Sequence, residues 1–332
     1  MLAAYIEAYG GPERLRVGTM PEPSPGAHDL LVDVAAASVN PIDFKLRQGK
    51  VKSMMRFDFP LILGNDLSGT VRATGSAVTR FKVGDRIIAR LGKTRIGAFA
   101  EQALVTETDA ARAPSTIDLT DAAALPLAGL TAWQALFELG QLSAGQTLLV
   151  HAGAGGVGHL ALQLGRWKGA RVITTASAKN RERCLQLGAD EVIDYRSTRF
   201  DQVMRTADVV LDSQGGDTLL RSIAITRPGG HVISIAAMPT PAVARAWGVG
   251  APLTWILAFL TRPERAAAKA RGVNYHFLFM RPDGAQLAEL VKLVDAGLLR
   301  PEIDQRYPLA EAAAALAYVE AGHAAGKVLV VP

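Results

Sequence analysis

The chain holds a single cysteine, Cys184, among 332 residues. One thiol forms no internal disulfide and builds no cysteine-rich zinc lobe, and this scarcity points to a reducing, cytoplasmic compartment. Aromatic residues make up only 6% of the chain, and tyrosine is absent between positions 10 and 194. Charge of one sign is also in short supply. The balance is +5, and no Lys/Arg block is long enough to argue for a nucleic-acid partner. A mildly basic surface instead helps attract an anionic cofactor. The opening residues have no basic-then-apolar leader, so no signal peptide is expected. The greasiest stretch, around 255–260, is too short to cross a bilayer, so no integral membrane segment is expected. No G-x-S-x-G elbow occurs, which removes the usual serine hydrolases. The six histidines show no ligand spacing.

What is present is an α/β pattern. Apolar residues make up 49% of the chain and charged residues 20%; this balance is that of a globular protein, and the length suits two domains. The strongest signal is 147–158, TLLVHAGAGGVG. The apolar run Leu148-Leu149-Val150 has the character of a buried strand, and it breaks into Gly153-x-Gly155-x-x-Gly158. A helical pattern follows, with Val157, Leu160, Ala161 and Leu164 on one face. Strand, glycine turn and helix together make the dinucleotide fingerprint. In this reading Gly153 permits a tight turn, Gly155 lets the backbone approach a pyrophosphate, and Gly158 allows close packing of helix on strand. Gly156 and Val157 complete the loop, whose unpaired N–H groups face the phosphates.

Residues 1–120 read as short strands, among them 30–34, 66–74 and 86–89, with turns at Gly75 and Val83-Gly84-Asp85. That describes a β-rich lobe. A linking helix is expected over 121–139, interrupted at Pro126. Strands at 147–151, 171–175, 191–194, 207–212 and 231–235 then alternate with helices at 156–167, 180–187 and 218–225. Such alternation predicts a doubly wound parallel sheet, a Rossmann domain. A sixth strand at 274–280, helices at 284–296 and 309–321, and a final strand at 326–331 that returns to the first lobe complete the chain. The expected domains are 1–122 plus 281–332, with the nucleotide domain 123–280 inserted between them. The segment 238–272 is apolar and then basic. It reads as a packing helix pair, or else as a substrate-mouth lid or surface-docking element.

NAD-specific sites place a carboxylate about twenty residues beyond the glycines, on the ribose 2′-OH. Here 174–177 is Thr-Thr-Ala-Ser, and Lys179, Arg181 and Arg183 follow. A hydroxyl with nearby cations suits a 2′-phosphate. Ser177 and Lys179 are the expected contacts, with Arg181 and Arg183 read as a solvated helix face. One charge-assisted hydrogen bond contributes about 1.5–3 kcal/mol, so NADPH is expected over NADH.

Further motifs are Ala37-Ser38-Val39-Asn40-Pro41-Ile42-Asp43, Gly64-x-Asp66-x-x-Gly69, Phe81-Lys82-Val83-Gly84-Asp85-Arg86-Ile87, Gly129-Leu130-Thr131-Ala132, and Leu187-Gly188-Ala189-Asp190 with Asp194-Tyr195. Together with the glycine loop they resemble, over nearly the full length, the medium-chain dehydrogenase/reductase superfamily, in its zinc-free quinone-oxidoreductase (zeta-crystallin-like) branch. The Phe44-Lys45-x-Arg47-Gln48-Gly49-Lys50 stretch and the long insertion look more like the alkenal-reductase and reticulon-interacting-protein-like subgroup.

The resemblance implies a Rossmann domain inserted into a β-rich, GroES-like catalytic domain, and a homodimer paired through 274–280. It implies that Asn40 lies near the nicotinamide, its amide donating to the oxygen that gains charge or orienting the acceptor. Thr131 looks like the family's nicotinamide-side hydroxyl and Tyr195 like its tyrosine near the adenosine phosphate. Phe277 and Phe279 would run beside the nicotinamide, and Lys327 resembles a C-terminal cofactor contact. Met54 and Phe57, in 49–59, either wall the substrate pocket or belong to the core. In zinc alcohol dehydrogenases a cysteine stands at the place of Asn40 and a His-Glu pair at that of Asn65-Asp66. Asn is a poor zinc ligand, so no catalytic metal is expected, and with it no Lewis-acid activation of an alcohol.

These readings lead to an NADPH-dependent, zinc-independent oxidoreductase that passes hydride to quinones or α,β-unsaturated carbonyl compounds. An enoyl-thioester reductase is a lesser alternative, since that subgroup carries a tyrosine shortly after the Asn-Pro segment and this chain has none there. A non-catalytic NADPH-binding structural or sensing protein is the other, because fold does not dictate function. Asp43, Asp66, His151 and Cys184 are read as structural.

Overall fold

The computed structural model describes residues 1–92, 95–322 and 324–332. The chain forms two compact units, Met1–Leu130 with Arg281–Pro332, and Thr131–Met280.

The first unit is built on the strand Asp29–Val39. It pairs antiparallel with Asp66–Thr74, with Gln102–Thr106 and with the terminal strand Lys327–Val331. Arg86–Arg90, Ala110–Arg112 and Ile303–Pro308 complete a seven-stranded sheet, and Leu15–Thr19, Leu2–Ile6 and Leu61–Ile62 form a second, three-stranded one. The inward residues Leu30, Val32, Leu67, Ile87, Phe99, Val105 and Val330 share one core. The central strand outruns the expected 30–34 because it has partners along its whole length, so the small residues 35–38 are ordered by pairing rather than by side-chain propensity. Ile303–Pro308 was not expected. Its sequence, IDQRYP, has no buried residue and no apolar alternation, as suits a sheet edge.

The second unit holds six parallel strands, in the order Glu191–Asp194, Arg171–Ala176, Thr147–Val150, Ala207–Asp212, Thr226–Ser234, Asn274–Phe277. In sequence terms this order is 3-2-1-4-5-6, the doubly wound arrangement. The central strands Thr147–Val150, Arg171–Ala176 and Ala207–Asp212 are near-continuous buried runs, because both faces of such a sheet are covered. Leu149, Ile173, Val210 and Val232 lie in its core.

One helical expectation holds with shifted bounds and another needs correction, and proline explains both. The helical stretch expected over 121–139 with a break at Pro126 is Leu119–Ala122, then Pro126–Trp133, which runs on as a π-helical stretch Gln134–Leu139. Pro126 opens the helix after the break, since its missing N–H costs nothing in a first turn. The segment 238–272 is not a helix pair but three helices, Pro241–Ala246, Ala251–Leu260 and Arg262–Arg271, each with a proline in its first turn.

Candidate functional site

The glycine loop of the second unit follows the strand Thr147–Val150 and leads into the ten-residue helix Gly158–Trp167, which starts two residues later than the pattern suggested. The tight turn is made by Ala152, at φ 54°, and not by Gly153. Gly153 is needed for closeness instead: a Cβ there would collide with Thr174 Oγ1, and one on Gly158 would collide with the Ala152 carbonyl. Gly155 differs. A Cβ on it would meet only the Ala152 oxygen, at 3.2 Å, so its Cα borders open space. The Gly156 and Val157 N–H groups have no partner among the described residues. Free donors at the start of a ten-residue helix, beside a face without side chains, suit a pyrophosphate.

Buried side chains brace the loop from behind. Thr175 Oγ1 accepts from the Ala152 N–H at 3.2 Å and meets His151 Nδ1 at 3.1 Å. His151 Nε2 lies 2.8 Å from Ser222 Oγ, whose own proton goes to the Thr218 carbonyl. That chain of donors assigns the proton to Nε2. Burial pushes the His151 pKa down to about 4, against the pull of Asp212, so the ring is neutral. The histidine is therefore a brace.

The next two strand ends are adjacent in register, Ala176 opposite Asp194. Ser177 and Lys179 follow the first, and Tyr195 and Arg196 the second. Lys179, Tyr195 and Arg196 are exposed, whereas Ser177 is buried and accepts from Asn180 Nδ2 at 3.3 Å. Arg196 was missed in the sequence; only strand pairing brings it to the end of the 171–176 strand. Arg181 does not face solvent freely, since it donates to the Val192 carbonyl at 2.8 Å. The residues at this corner fit a 2′-phosphate, with two cations and no carboxylate at the end of the 171–176 strand.

Thr131 is buried at the start of this unit. Phe277 ends the strand Asn274–Phe277, and Phe279 packs edge-on against Trp247, with ring centroids 4.1 Å apart.

The first unit brings together residues that the sequence leaves far apart. Ser38 and Asn40 lie on one side of the extended chain by alternation. Asn40 Nδ2 donates to the Ser38 carbonyl at 2.9 Å and to Asp66 Oδ1 at 2.8 Å. Its Oδ1 accepts from Lys327 Nζ at 2.6 Å. Asp66 also accepts from Ser38 Oγ at 2.7 Å and the Leu127 N–H at 2.9 Å. Asp43, at the third position of the helix Pro41–Arg47, accepts from the Asn40 N–H and from Asn65 Nδ2, both at 2.7 Å. Arg90 lies opposite Asp66 in the strand register and is fully buried.

Both hydrogens and the oxygen of the Asn40 amide are engaged inside the unit. Lys327 is buried and holds Asn40 and, at 3.5 Å, the Val39 carbonyl. Burial lowers the Lys327 pKa while Asp66 and Asp43 oppose that. Burial likewise raises Asp66, against the nearby Lys327 ammonium. Asp43 is pushed up to about 7, by burial first. Arg90 is lowered to about 10 by burial, with Asp66 and Asp43 pulling it back up.

Phe57 packs on the core of the first unit and Met55 is buried, with Met54 half-buried between turns. Among the described residues no three His, Cys, Asp or Glu side chains gather in a way that would hold a metal ion.

A GroES-like mixed sheet unit interrupted by a 3-2-1-4-5-6 dinucleotide-type unit defines a medium-chain dehydrogenase/reductase. The family model "Alcohol dehydrogenase GroES-like domain" matches residues 26–115, and "Zinc-binding dehydrogenase" matches 187–330. The chain is 33% identical to the chloroplast envelope quinone oxidoreductase homolog of Arabidopsis thaliana, across 100% of this chain and 98% of that protein. It is 31% identical to the NADPH-dependent alkenal/one oxidoreductase of the same plant, across 100% of this chain and 80% of that one. The quinone oxidoreductase from Coxiella burnetii has the same fold, with a TM-score of 0.87 at 32% identity, covering 100% of this chain and 99% of that chain. The chain belongs to the quinone-oxidoreductase family of the medium-chain dehydrogenases/reductases.

Proposed function

We propose that this protein is a zinc-independent, NADPH-dependent oxidoreductase whose acceptors are quinones or α,β-unsaturated carbonyl compounds. The observation that carries the reading is the closed network of Asn40, Asp66 and Lys327. At the positions where resemblance puts a zinc-ligand set, Asn40 is bonded through both its amide nitrogen and its oxygen, Asn65 donates to Asp43, and Lys327 faces the Asp66 carboxylate. A divalent cation there would meet both Lys327 and Arg90. Neutral amides are in any case weak donors to zinc. The family model named for zinc binding matches residues beyond Asn40, Asn65 and Asp66.

Without a Lewis acid, an alcohol has nothing to activate it. A conjugated acceptor needs less help, because it spreads the incoming charge onto its own carbonyl oxygen. Position and local electrostatics then suffice. NADPH, when bound, supplies the hydride. The chain's own residues hold it: the 153–158 backbone at the pyrophosphate, Lys179 and Arg196 with Ser177 and Tyr195 at the adenosine side. Thr131, Phe277 and Phe279 are proposed for the nicotinamide side. Asn40 is proposed as a positioning residue, locked in one orientation by Lys327 and Asp66. The names of the relatives, one a quinone oxidoreductase homolog and one an alkenal/one reductase, support both acceptor classes.

We also propose a homodimer paired through Asn274–Phe277, which is an edge of the six-stranded sheet. An apparent monomer by gel filtration at micromolar concentration would remove it. Buried Cys184, its thiol pushed up to about 11 by burial, suits the cytoplasmic reading but does not carry it.

The test is NADPH consumption with a simple 1,4-quinone and a medium-chain enal, with product identification and with metal content measured before and after chelation. Turnover that survives metal removal supports the proposal. Tight NADPH binding with neither acceptor reduced would favour the non-catalytic sensing reading instead.

A further inference from the structure

The helix Ala251–Leu260 turns its most apolar side chains outward. Trp255 is 77% exposed, Phe259 73%, Ile256 54% and Leu260 46%. With exposed Ala251 and Pro252 they recur at helical spacing and form one unbroken stripe over the whole helix. The stripe carries no polar side chain; the helix's one polar residue, Thr254, is buried and bonds back to the Val249 and Gly250 carbonyls. A run of large exposed apolar residues on a single face marks an interaction surface.

The flanks indicate what covers it. Arg245 lies in the last turn of the preceding helix, and Arg262, Arg265, Lys269 and Arg271 lie on the following one. Arg265 folds back so that its Nη2 donates to the Ala258 carbonyl at 2.6 Å, which sets a guanidinium beside Phe259. The other four cations make no ion pair among the described residues. The single acid of this segment, Glu264, is half-buried, with Oε2 shielded from solvent, and its charge acts on Tyr275. The outward surface is therefore apolar in the middle and cationic at the margins. A second copy of the chain is a poor fit, because two-fold pairing of the stripes would bring like-charged margins together. A span is excluded by length: ten residues rise about 15 Å, against about 30 Å of hydrocarbon.

We propose that this surface docks the protein on an anionic lipid bilayer. The helix lies in the interfacial plane, with Trp255, Ile256, Phe259 and Leu260 inserted among the headgroups and upper acyl chains, and the flanking arginines and lysine at the lipid phosphates. Trp and Phe suit that depth, being apolar bodies at a wet boundary. The inference stands apart from the proposed activity, which concerns other residues.

The experiment is flotation of the full chain with vesicles of phosphatidylglycerol and phosphatidylcholine, and with phosphatidylcholine alone. The variants are Trp255→Ser/Phe259→Ser and Arg262→Glu/Lys269→Glu, each checked for retained NADPH affinity. Binding is expected on the anionic vesicles and reduced by salt. Each lost cation should weaken partition by about fivefold, and the apolar double variant by more than tenfold. Three results overturn the proposal: no partition onto anionic vesicles, partition that the apolar variant keeps, or an oligomer that the apolar variant dissociates while vesicle binding is absent.

Discussion

Lys327 Nζ lies 2.6 Å from Asn40 Oδ1, and the Nδ2 of the same amide lies 2.8 Å from Asp66. The amide dipole thus runs from a buried cation to a buried carboxylate, and its orientation has only one solution. Removing one partner of such a set leaves the other charge buried without compensation. Lys327→Met is therefore expected to lower stability by about 3–5 kcal/mol, read as the urea midpoint. The Lys327→Met/Asp66→Asn double variant should lose clearly less than the two single losses summed. Simple additivity would mean that the residues do not act as one network.

The glycines of the loop separate folding from binding. Gly153→Ala and Gly158→Ala place a methyl group against Thr174 and against the Ala152 carbonyl, and each should destabilise by about 1–3 kcal/mol. Gly155→Ala meets almost nothing. It should keep the midpoint of the parent while weakening NADPH binding at least tenfold, measured by fluorescence titration. Equal loss of stability in all three would contradict the open face assigned to Gly155.

Lys179 is exposed at the end of the 171–176 strand, where no carboxylate stands. One charge-assisted bond contributes about 1.5–3 kcal/mol. Lys179→Ala should then raise the Kd for NADPH by about tenfold or more and leave NADH unchanged. A parallel loss for both cofactors would place the lysine elsewhere than at the 2′-phosphate.

Asp43 makes a specific pH signature. Its pKa is about 7 in the folded protein against 3.8 in the absence of the fold, burial being the main cause. The folded state therefore binds the proton more tightly. The stabilisation linked to that proton is complete below about pH 4 and is lost as pH rises to about 7. Asp43→Asn should flatten the fall in urea midpoint across this window. Asp66 is raised as well, so some slope should remain. An unchanged slope would show that Asp43 is ionised throughout.

The fold was largely legible before the structure. Apolar runs of strand length alternating with helical patterns dictate a parallel sheet, and the strands at 191–194 and 207–212 fall where that pattern put them. The break expected at Pro126 is present, and Pro126 starts the helix after it, as Pro241, Pro252 and Pro263 start theirs. The edge strand Ile303–Pro308 was invisible because an exposed strand needs no apolar alternation.

The sequence alone determined the glycine loop, the cationic corner after the second strand of the parallel sheet and the absence of a cysteine or histidine ligand set, since each is a matter of residue type at short range. Tertiary structure decided that Ala152 rather than Gly153 makes the left-handed turn, and that Arg196 joins Lys179, because strand register is a long-range property. It also decided the fate of Asn40. Its partners come from positions 66 and 327, and no local pattern reveals that a buried lysine arrives to close the amide. The outward face of 251–260 is of the same kind. A helix apolar nearly all round has no periodicity to say which side is buried, so only the packed unit could turn Trp255 and Phe259 to solvent.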